Sequence, residues 1–316
     1  MLKKIVLTGA TGFIGSNLLE VLVKQQFEVH IIVRSGSNLD KLKNFVNPNN
    51  IFVFNGETVD VVDYFKSLKK IDTVIHLASL AISTHGVSDI DCLVESNLRF
   101  GCQLLEAMKE SGCKKLINTS TFWQHYNNEK YNPVCLYAAT KEAFERIVDY
   151  YVEAYNFKCI TLELFDTYGK QDTRKKILDL LIECAVTEER LDLTPSEQYV
   201  DFIHIDDVVA AYLVALINLE SSVEKTNKKY MVTSGVPIQL KNVVQILEDI
   251  SGKRLNIQLG GRVYREREIM IPWNKGEMLP NWNTMIGLRD GISKTYFQKE
   301  LKGVFHEKNL GFNSDL

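Results

Sequence analysis

Proline and cysteine are scarce in this chain, six of each in 316 residues, and neither is clustered. Cys92, Cys102, Cys113, Cys135, Cys159 and Cys184 show no Cys-x-x-Cys spacing, which excludes the common zinc and redox motifs and a disulfide frame. Several fall within apolar helical or strand patterns, so they read as reduced core thiols of a cytosolic protein, with no metal expected. Long apolar runs are missing too: none reaches the roughly 20 residues of a membrane helix. The first apolar strand begins within three residues, and no secretory leader is expected. Positive charge is not in surplus, with 37 Lys and Arg against 40 Asp and Glu and a net charge of −3. Nothing therefore steers the chain toward nucleic acid or an anionic membrane. Repeats, low-complexity segments and Pro/Gly-rich linkers are absent, so two lobes would share a cleft and not swing on a tether. What remains, 45% hydrophobic and 24% charged, is the composition of a globular protein with a full core.

Against that background two motifs stand out. Thr8-Gly9-Ala10-Thr11-Gly12-Phe13-Ile14-Gly15 follows the apolar run Lys4-Ile5-Val6-Leu7 and precedes an amphipathic stretch, giving strand, tight turn, helix. Gly9 suits the turn, Gly12 lets backbone approach a pyrophosphate at the helix N-terminus, and Gly15 permits close packing of the helix. The spacing is G-x-x-G-x-x-G, not G-x-G-x-x-G. With it, Thr11, Phe13 and Ile14 become cofactor-binding candidates. A second strand, Glu28 to Val33, ends at Arg34-Ser35, about 20 residues beyond the glycines, where NAD-selective folds usually carry an acid for the ribose. A guanidinium there matches a 2′-phosphate, so NADP(H) is favoured over NAD(H); the alternative is a solvated surface arginine.

Strands are expected at 51–54, 72–78, 115–121 and 158–164, with helices at about 94–111 and from Tyr137 to about Tyr155. Alternation of this kind predicts a doubly wound, Rossmann-type parallel α/β sheet. Small residues Ala78 and Ser79, with Leu77, would let the cofactor lie across the fourth strand's end. Beyond Gly169 the alternation is lost, with helices at about 173–187, 205–219 and 240–250. The expected division is a dinucleotide-binding domain at 1–169 and a smaller α/β substrate lobe at 170–316, some of whose segments return to the sheet. Asn313 to Leu316 should fray.

The second motif, Tyr137-Ala138-Ala139-Thr140-Lys141, sets a phenol and an ammonium on one helix face. A phenol titrates near about 10, so it serves as acid or base near neutrality only beside positive charge, which Lys141 and an oxidised nicotinamide would supply. Thr121, ending the fifth strand, could bond the same substrate oxygen.

These residues resemble the extended short-chain dehydrogenase/reductase family of nucleotide-sugar epimerases, dehydratases and 4-ketoreductases. His76-Leu77-Ala78-Ser79, Asn97 with Leu104-Leu105-Glu106-Ala107, Phe165-Asp166-Thr167-Tyr168-Gly169 and Asp201-Phe202-Ile203-His204-Ile205-Asp206-Asp207-Val208 look like further family segments. The resemblance covers nearly the whole chain. It implies Thr121, Tyr137 and Lys141 as the catalytic triad, Asn97 at the cofactor, and a homodimer pairing the helices that carry Asn97 and Tyr137.

Departures narrow the activity. Where the 4,6-dehydratases follow the catalytic Thr with Asp and Glu, this chain has Phe122 and Trp123, which cannot move protons. The usual Arg before Asp-Phe is Val200, and the usual Asn before the Tyr-Gly pair is Asp166, a substrate-side candidate. The basic stretch from Arg262 to Arg267 could take over the diphosphate contact. Arg265 is preferred because Glu268-Ile269-Met270 after it resembles CDP-paratose and CDP-abequose synthases; the alternative is a solvated charged strand with internal Arg–Glu pairing. Trp123 either walls the sugar pocket or fills core beside it. His125 and His85 are read as surface loop residues with some chance of touching substrate, and His204 as structural. The expected activity is NADPH-dependent reduction of a nucleotide-linked 4-keto-6-deoxyhexose. The alternatives are an NAD-retaining nucleotide-sugar 4-epimerase and an NADPH-sensing binding protein, for which the complete catalytic set would be superfluous.

Overall fold

The apolar run near the start forms β1 (Lys4–Thr8), and the glycine turn after it leads into α1 (Phe13–Lys24) and β2 (Glu28–Arg34). The structure is a computed structural model that describes residues 2–170, 172, 174–222 and 226–297; Asn313 to Leu316 lie outside them. In order there follow β3 (Ile51–Phe54), α2 (Thr58–Ser67), β4 (Thr73–His76), α3 (Ile90–Val94), α4 (Phe100–Ser111), β5 (Lys115–Thr121), α5 (Leu136–Tyr155), β6 (Lys158–Leu164) and β7 (Asp166–Tyr168). The second half supplies α6 (Ile177–Thr187), β8 (Leu191–Asp192), β9 (Tyr199–Val200), β10 (Phe202–His204), α7 (Ile205–Ser221), β11 (Asn227–Val232), β12 (Ile238–Gln239), α8 (Leu240–Ser251), β13 (Ile257–Gln258) and α9 (Leu288–Ile292).

Seven strands form one parallel sheet in the order β11-β6-β5-β4-β1-β2-β3. Both faces are covered, so the central strands are apolar almost throughout, as in Ile5, Val6 and Leu7. Leu18, Leu19 and Leu22 of α1 pack with Val208, Ala211 and Leu216 of α7 in one core. Phe65 of α2, Leu104 of α4 and Phe144 of α5 belong to the other. A third cluster, with Leu181, Phe202, Val243 and Leu247, holds the smaller lobe together. Because α7 and β11 come from the second half yet pack on the sheet, the chain returns to the first lobe after leaving it. Among the described residues, no helix is long and apolar enough to cross a membrane.

The helix expected over 94–111 differs in detail. A π-helical turn at Glu95–Arg99 separates α3 from α4 and carries Asn97; π turns in longer helices are frequent at functional sites. The stretch from Arg262 to Arg267 is turn and coil, not a charged strand.

β1 and β4 are neighbours whose connections leave in opposite directions, toward β2 on one side and β5 on the other. Such a switch in strand order opens a crevice beyond the strands' carboxyl ends. The glycine turn, Leu77 to Ser79 and Thr121 all lie there.

Candidate functional site

Two cavities fill this crevice, one of about 660 Å³ and one of about 500 Å³, and both touch Gly9, Gly12, Leu77 and Ser79.

The smaller is a trough along the glycine turn, walled by Thr11, Val33, Arg34, Ser37, Phe54, Ala78, Cys92 and Glu95. Gly9 has φ +73, and a Cβ there would sit 2.7 Å from the Ala78 nitrogen. Gly15 meets the turn itself: its Cβ would lie 2.1 Å from the Gly9 carbonyl oxygen. Thr8, which sequence reasoning passed over, explains how the strand exits meet. Its hydroxyl contacts His76 Nδ1 at 2.8 Å and accepts from the Leu77 and Ala78 nitrogens at 3.2 and 3.1 Å. The start of α1 has no side-chain cap and no acid in its first turn, leaving backbone donors and a positive helix end for an anion. This is a cradle that fits a dinucleotide pyrophosphate.

Arg34 is exposed on the trough and makes no ion pair among the described residues. Ser35 is exposed in the turn, and it is Ser37 that reaches the trough wall. Asn97 borders neither cavity. Its Oδ1 accepts from Ser79 Oγ at 3.1 Å and the Leu80 nitrogen at 2.7 Å, while its Nδ2 donates to the Leu80 carbonyl at 3.1 Å and Thr140 Oγ1 at 2.9 Å. With all four bonds used, Asn97 braces the cofactor-side wall against α5 instead of offering a free donor. Cys92, expected in the core, is exposed on α3 beside the trough.

The larger cavity brings together Ser79, Thr121, Phe122, Trp123, Tyr137, Lys141, Asp166 and Arg265, along with Phe13, Ile14 and Gly15. Burial pushes the Tyr137 phenol up to about 12, with the Cys135 thiol adding to the rise. Arg174 and hydrogen bonding with Thr121 and Ser79 pull against it. The largest opposing charge is thus Arg174, where the sequence pointed to Lys141. Lys141 is 2% exposed, and burial pushes its ammonium down to about 8 while the charge of Glu145 opposes the fall. His76, buried beside it, is pushed down to about 3 by burial and by Lys141, so it faces the ammonium as neutral imidazole.

Phe122 stacks on Phe165 with centroids 4.6 Å apart, and Trp123 is half-buried on the cavity wall. Arg265 reaches the cavity with its guanidinium 5.7 Å from the Trp123 ring centre, and it also pairs with Glu268 at 3.1 Å. Asp166 has its carboxyl pushed up, chiefly by burial, while Lys176, Arg174 and Arg265 act to lower it. Arg262, the first residue of the basic stretch, lines this cavity too, as do Arg174 and Lys176, which were not singled out from sequence. The run Arg174-Lys175-Lys176, directly ahead of the apolar α6, was the available signal.

His85 is exposed and borders neither cavity. His125 is buried, not on the surface, with its ring nitrogens 2.9 Å from the Glu129 carbonyl and 2.8 Å from Glu163. His204 caps α7, accepting from the Asp206 nitrogen, and contacts Thr295.

Fold and site together define a dinucleotide-dependent enzyme: a pyrophosphate cradle at a strand-order switch, opening onto a half-buried phenol with Thr, Ser and Lys around it. Residues 5–232 match the NAD dependent epimerase/dehydratase family, and the chain belongs to it. It is an NAD(P)-dependent enzyme of that family. CDP-abequose synthase of Yersinia pseudotuberculosis is 30% identical over 272 residues, 85% of this chain and 91% of that protein. CDP-abequose synthase of Salmonella muenchen is 28% identical, over 94% of this chain and 98% of its own length. Among solved structures, UDP-glucose 4-epimerase of Thermotoga maritima with UDP-glucose superposes at TM-score 0.79 and 22% identity, covering 94% of this chain and 99% of that one.

Proposed function

We propose that the protein reduces a nucleotide-linked 4-keto-6-deoxyhexose to the 4-hydroxy sugar, with NADPH as reductant. The observation that carries this reading is the Tyr137 phenol set beside Thr121 and Lys141, in one cavity with Phe122 and Trp123 where a dehydratase needs acids. The likeness to CDP-abequose synthases along nearly the full chain supports it.

The bound dinucleotide supplies the hydride. Tyr137 gives its proton to the carbonyl oxygen, and Thr121 and Ser79, hydroxyls lining the same cavity, orient it. Lys141, buried and cationic below about pH 8, holds the cofactor ribose and offsets negative charge left on the phenol. Arg174, Lys176, Arg262 and Arg265 give the cavity the cationic surface a nucleotide diphosphate requires. Trp123 and Phe122 keep water from the reacting end. Homodimerisation through α4 and α5 belongs to the same reading; Ile90, Val94 and Tyr150 offer exposed apolar surface nearby.

Incubation with dTDP-, CDP-, GDP- and UDP-linked 4-keto-6-deoxy sugars should give stoichiometric loss of NADPH absorbance with one of them. An NAD-retaining 4-epimerase is the second reading, favoured by the likeness to epimerases; tightly held NAD, and turnover without added reductant, would establish it instead. Arg34→Ala is expected to weaken NADPH binding by roughly tenfold or more, the loss of a charge-assisted contact, while leaving NADH binding unchanged. Fluorescence titration with both nucleotides reads this, and equal losses would remove the assignment of Arg34 to the 2′-phosphate.

A further inference from the structure

Beside the reacting groups lies a buried set of charges that the reduction does not use. Glu145 stands one turn beyond Lys141 on α5 and is 5% exposed. One carboxylate oxygen accepts from the Ser120 hydroxyl and, at 2.9 Å, from Gln124 Nε2. The other lies 3.0 Å from the Lys229 ammonium on β11. Lys229 also meets Glu163 of β6 at 3.0 Å and Glu142 of α5 at 3.9 Å, and donates to Gln124 Oε1. Glu163 in turn contacts His125, whose ring stacks on Trp273 at 4.1 Å.

Two features connect this set to the chemistry. Ser120 precedes Thr121 on β5, so the Ser120–Glu145 bond ties the strand bearing Thr121 to the helix bearing Tyr137 and Lys141. Three carboxylates, Glu142, Glu145 and Glu163, surround the ammonium of Lys229, with the Arg146 guanidinium 3.3 Å from Glu142 as a further cation, and the charge of Glu145 also acts on Lys141. Lys141 has no carboxylate in ion-pair range among the described residues, and residues four apart on a helix are neighbours.

We propose that Glu145 is a positioning residue for the reaction: its carboxylate fixes the Thr121 end of β5 against α5 and supplies the charge that keeps Lys141 an ammonium. The proposal rests on Thr121, Tyr137 and Lys141 being the reacting set. The groups facing Lys141 are Glu145 and Tyr137 from its own helix and neutral His76 from β4. Those facing Glu145 are Lys229 of β11, Glu163 and the Cys159 thiol of β6, and Glu142. Burial lowers Lys141 to about 8 and Glu145 opposes it, so the ammonium is lost as pH rises through that value. Without the Glu145 charge the loss falls at lower pH.

The test is the pH dependence, from 6 to 10, of NADPH affinity by fluorescence and of kcat/KM with the substrate found above. The wild type should show a basic limb near pH 8, and Glu145→Gln, which still accepts from Ser120, should move that limb down by about one unit or more. Ser120→Ala, which cuts the tie but keeps the charge, should lower kcat without moving the limb. Lys229→Met, available should Glu145→Gln not fold, removes positive charge and should leave the limb at or above the wild-type pH. Glu145→Gln or Lys229→Met limbs opposite to these directions, a Glu145→Gln limb coincident with the wild type, or no basic limb in either readout overturns the proposal. The affinity arm needs no sugar, so a failed reductase assay does not decide it.

Discussion

Tyr137→Phe is expected to lower kcat by roughly two to four orders of magnitude, the loss of a positioned general acid, while the protein stays folded and binds NADPH. The phenol is half-buried and pushed up to about 12, so throughout the neutral range it carries the proton that the proposed reduction needs. Removing the oxygen leaves Thr121 and Ser79 beside the cavity, and both are hydroxyls able to turn to other partners. Little stability should therefore be lost. Single-turnover NADPH oxidation with a thermal melt as companion checks this, and full turnover by the variant would remove Tyr137 from the mechanism. The pH profile of the wild type gives the sign independently. A donor phenol predicts activity that persists to high pH on its own account, so a basic limb near pH 8 is expected from Lys141 instead.

Gly15→Ala is expected to have the largest structural effect. An added Cβ would sit 2.1 Å from the Gly9 oxygen and 2.9 Å from the Ala10 Cα, with backbone, not a flexible side chain, in the way. The helix must shift away from the turn, at a cost upward of about 3 kcal/mol. Because the displaced parts form the pyrophosphate cradle, dinucleotide affinity should fall with stability. Denaturant unfolding and NADPH titration on the same preparation measure both. Gly36→Ala is the comparison: unlike helical Gly15, Gly36 has positive φ, at +78, but its Cβ would meet nothing within 4 Å. Only the modest strain of its backbone conformation should appear there.

The parallel sheet was legible because each strand is a short apolar run followed by helical periodicity, and β3 and β5 fall on the expected residues. Position 97 shows where periodicity stops informing. An apolar pattern continuous from Val94 to Ser111 looks like one helix, yet the π turn inserts a residue and points Asn97 at Leu80 and Thr140. Glu145 and Lys229 were invisible for another reason. A charged residue on an amphipathic helix reads as solvated, and only the crossing of β6, β11 and α5 puts those charges in one buried set. His125 is the same case, a loop histidine made internal by Glu163 and Trp273. The proposed catalytic trio needed no such long-range information, since Tyr137 and Lys141 are local to one helix and Thr121 ends the adjacent strand.

The two cavities meet across little more than the glycine turn, Leu77 and Ser79. A molecule seated on the cradle thus becomes part of the floor that the second molecule touches. Occupation of the trough completes the surface of the larger chamber, because Gly9, Gly12, Leu77 and Ser79 face both. What separates the two molecules is then mostly backbone, the Gly9 and Gly12 turn with Leu77 and Ser79, so each binds against a surface that the other helps to form.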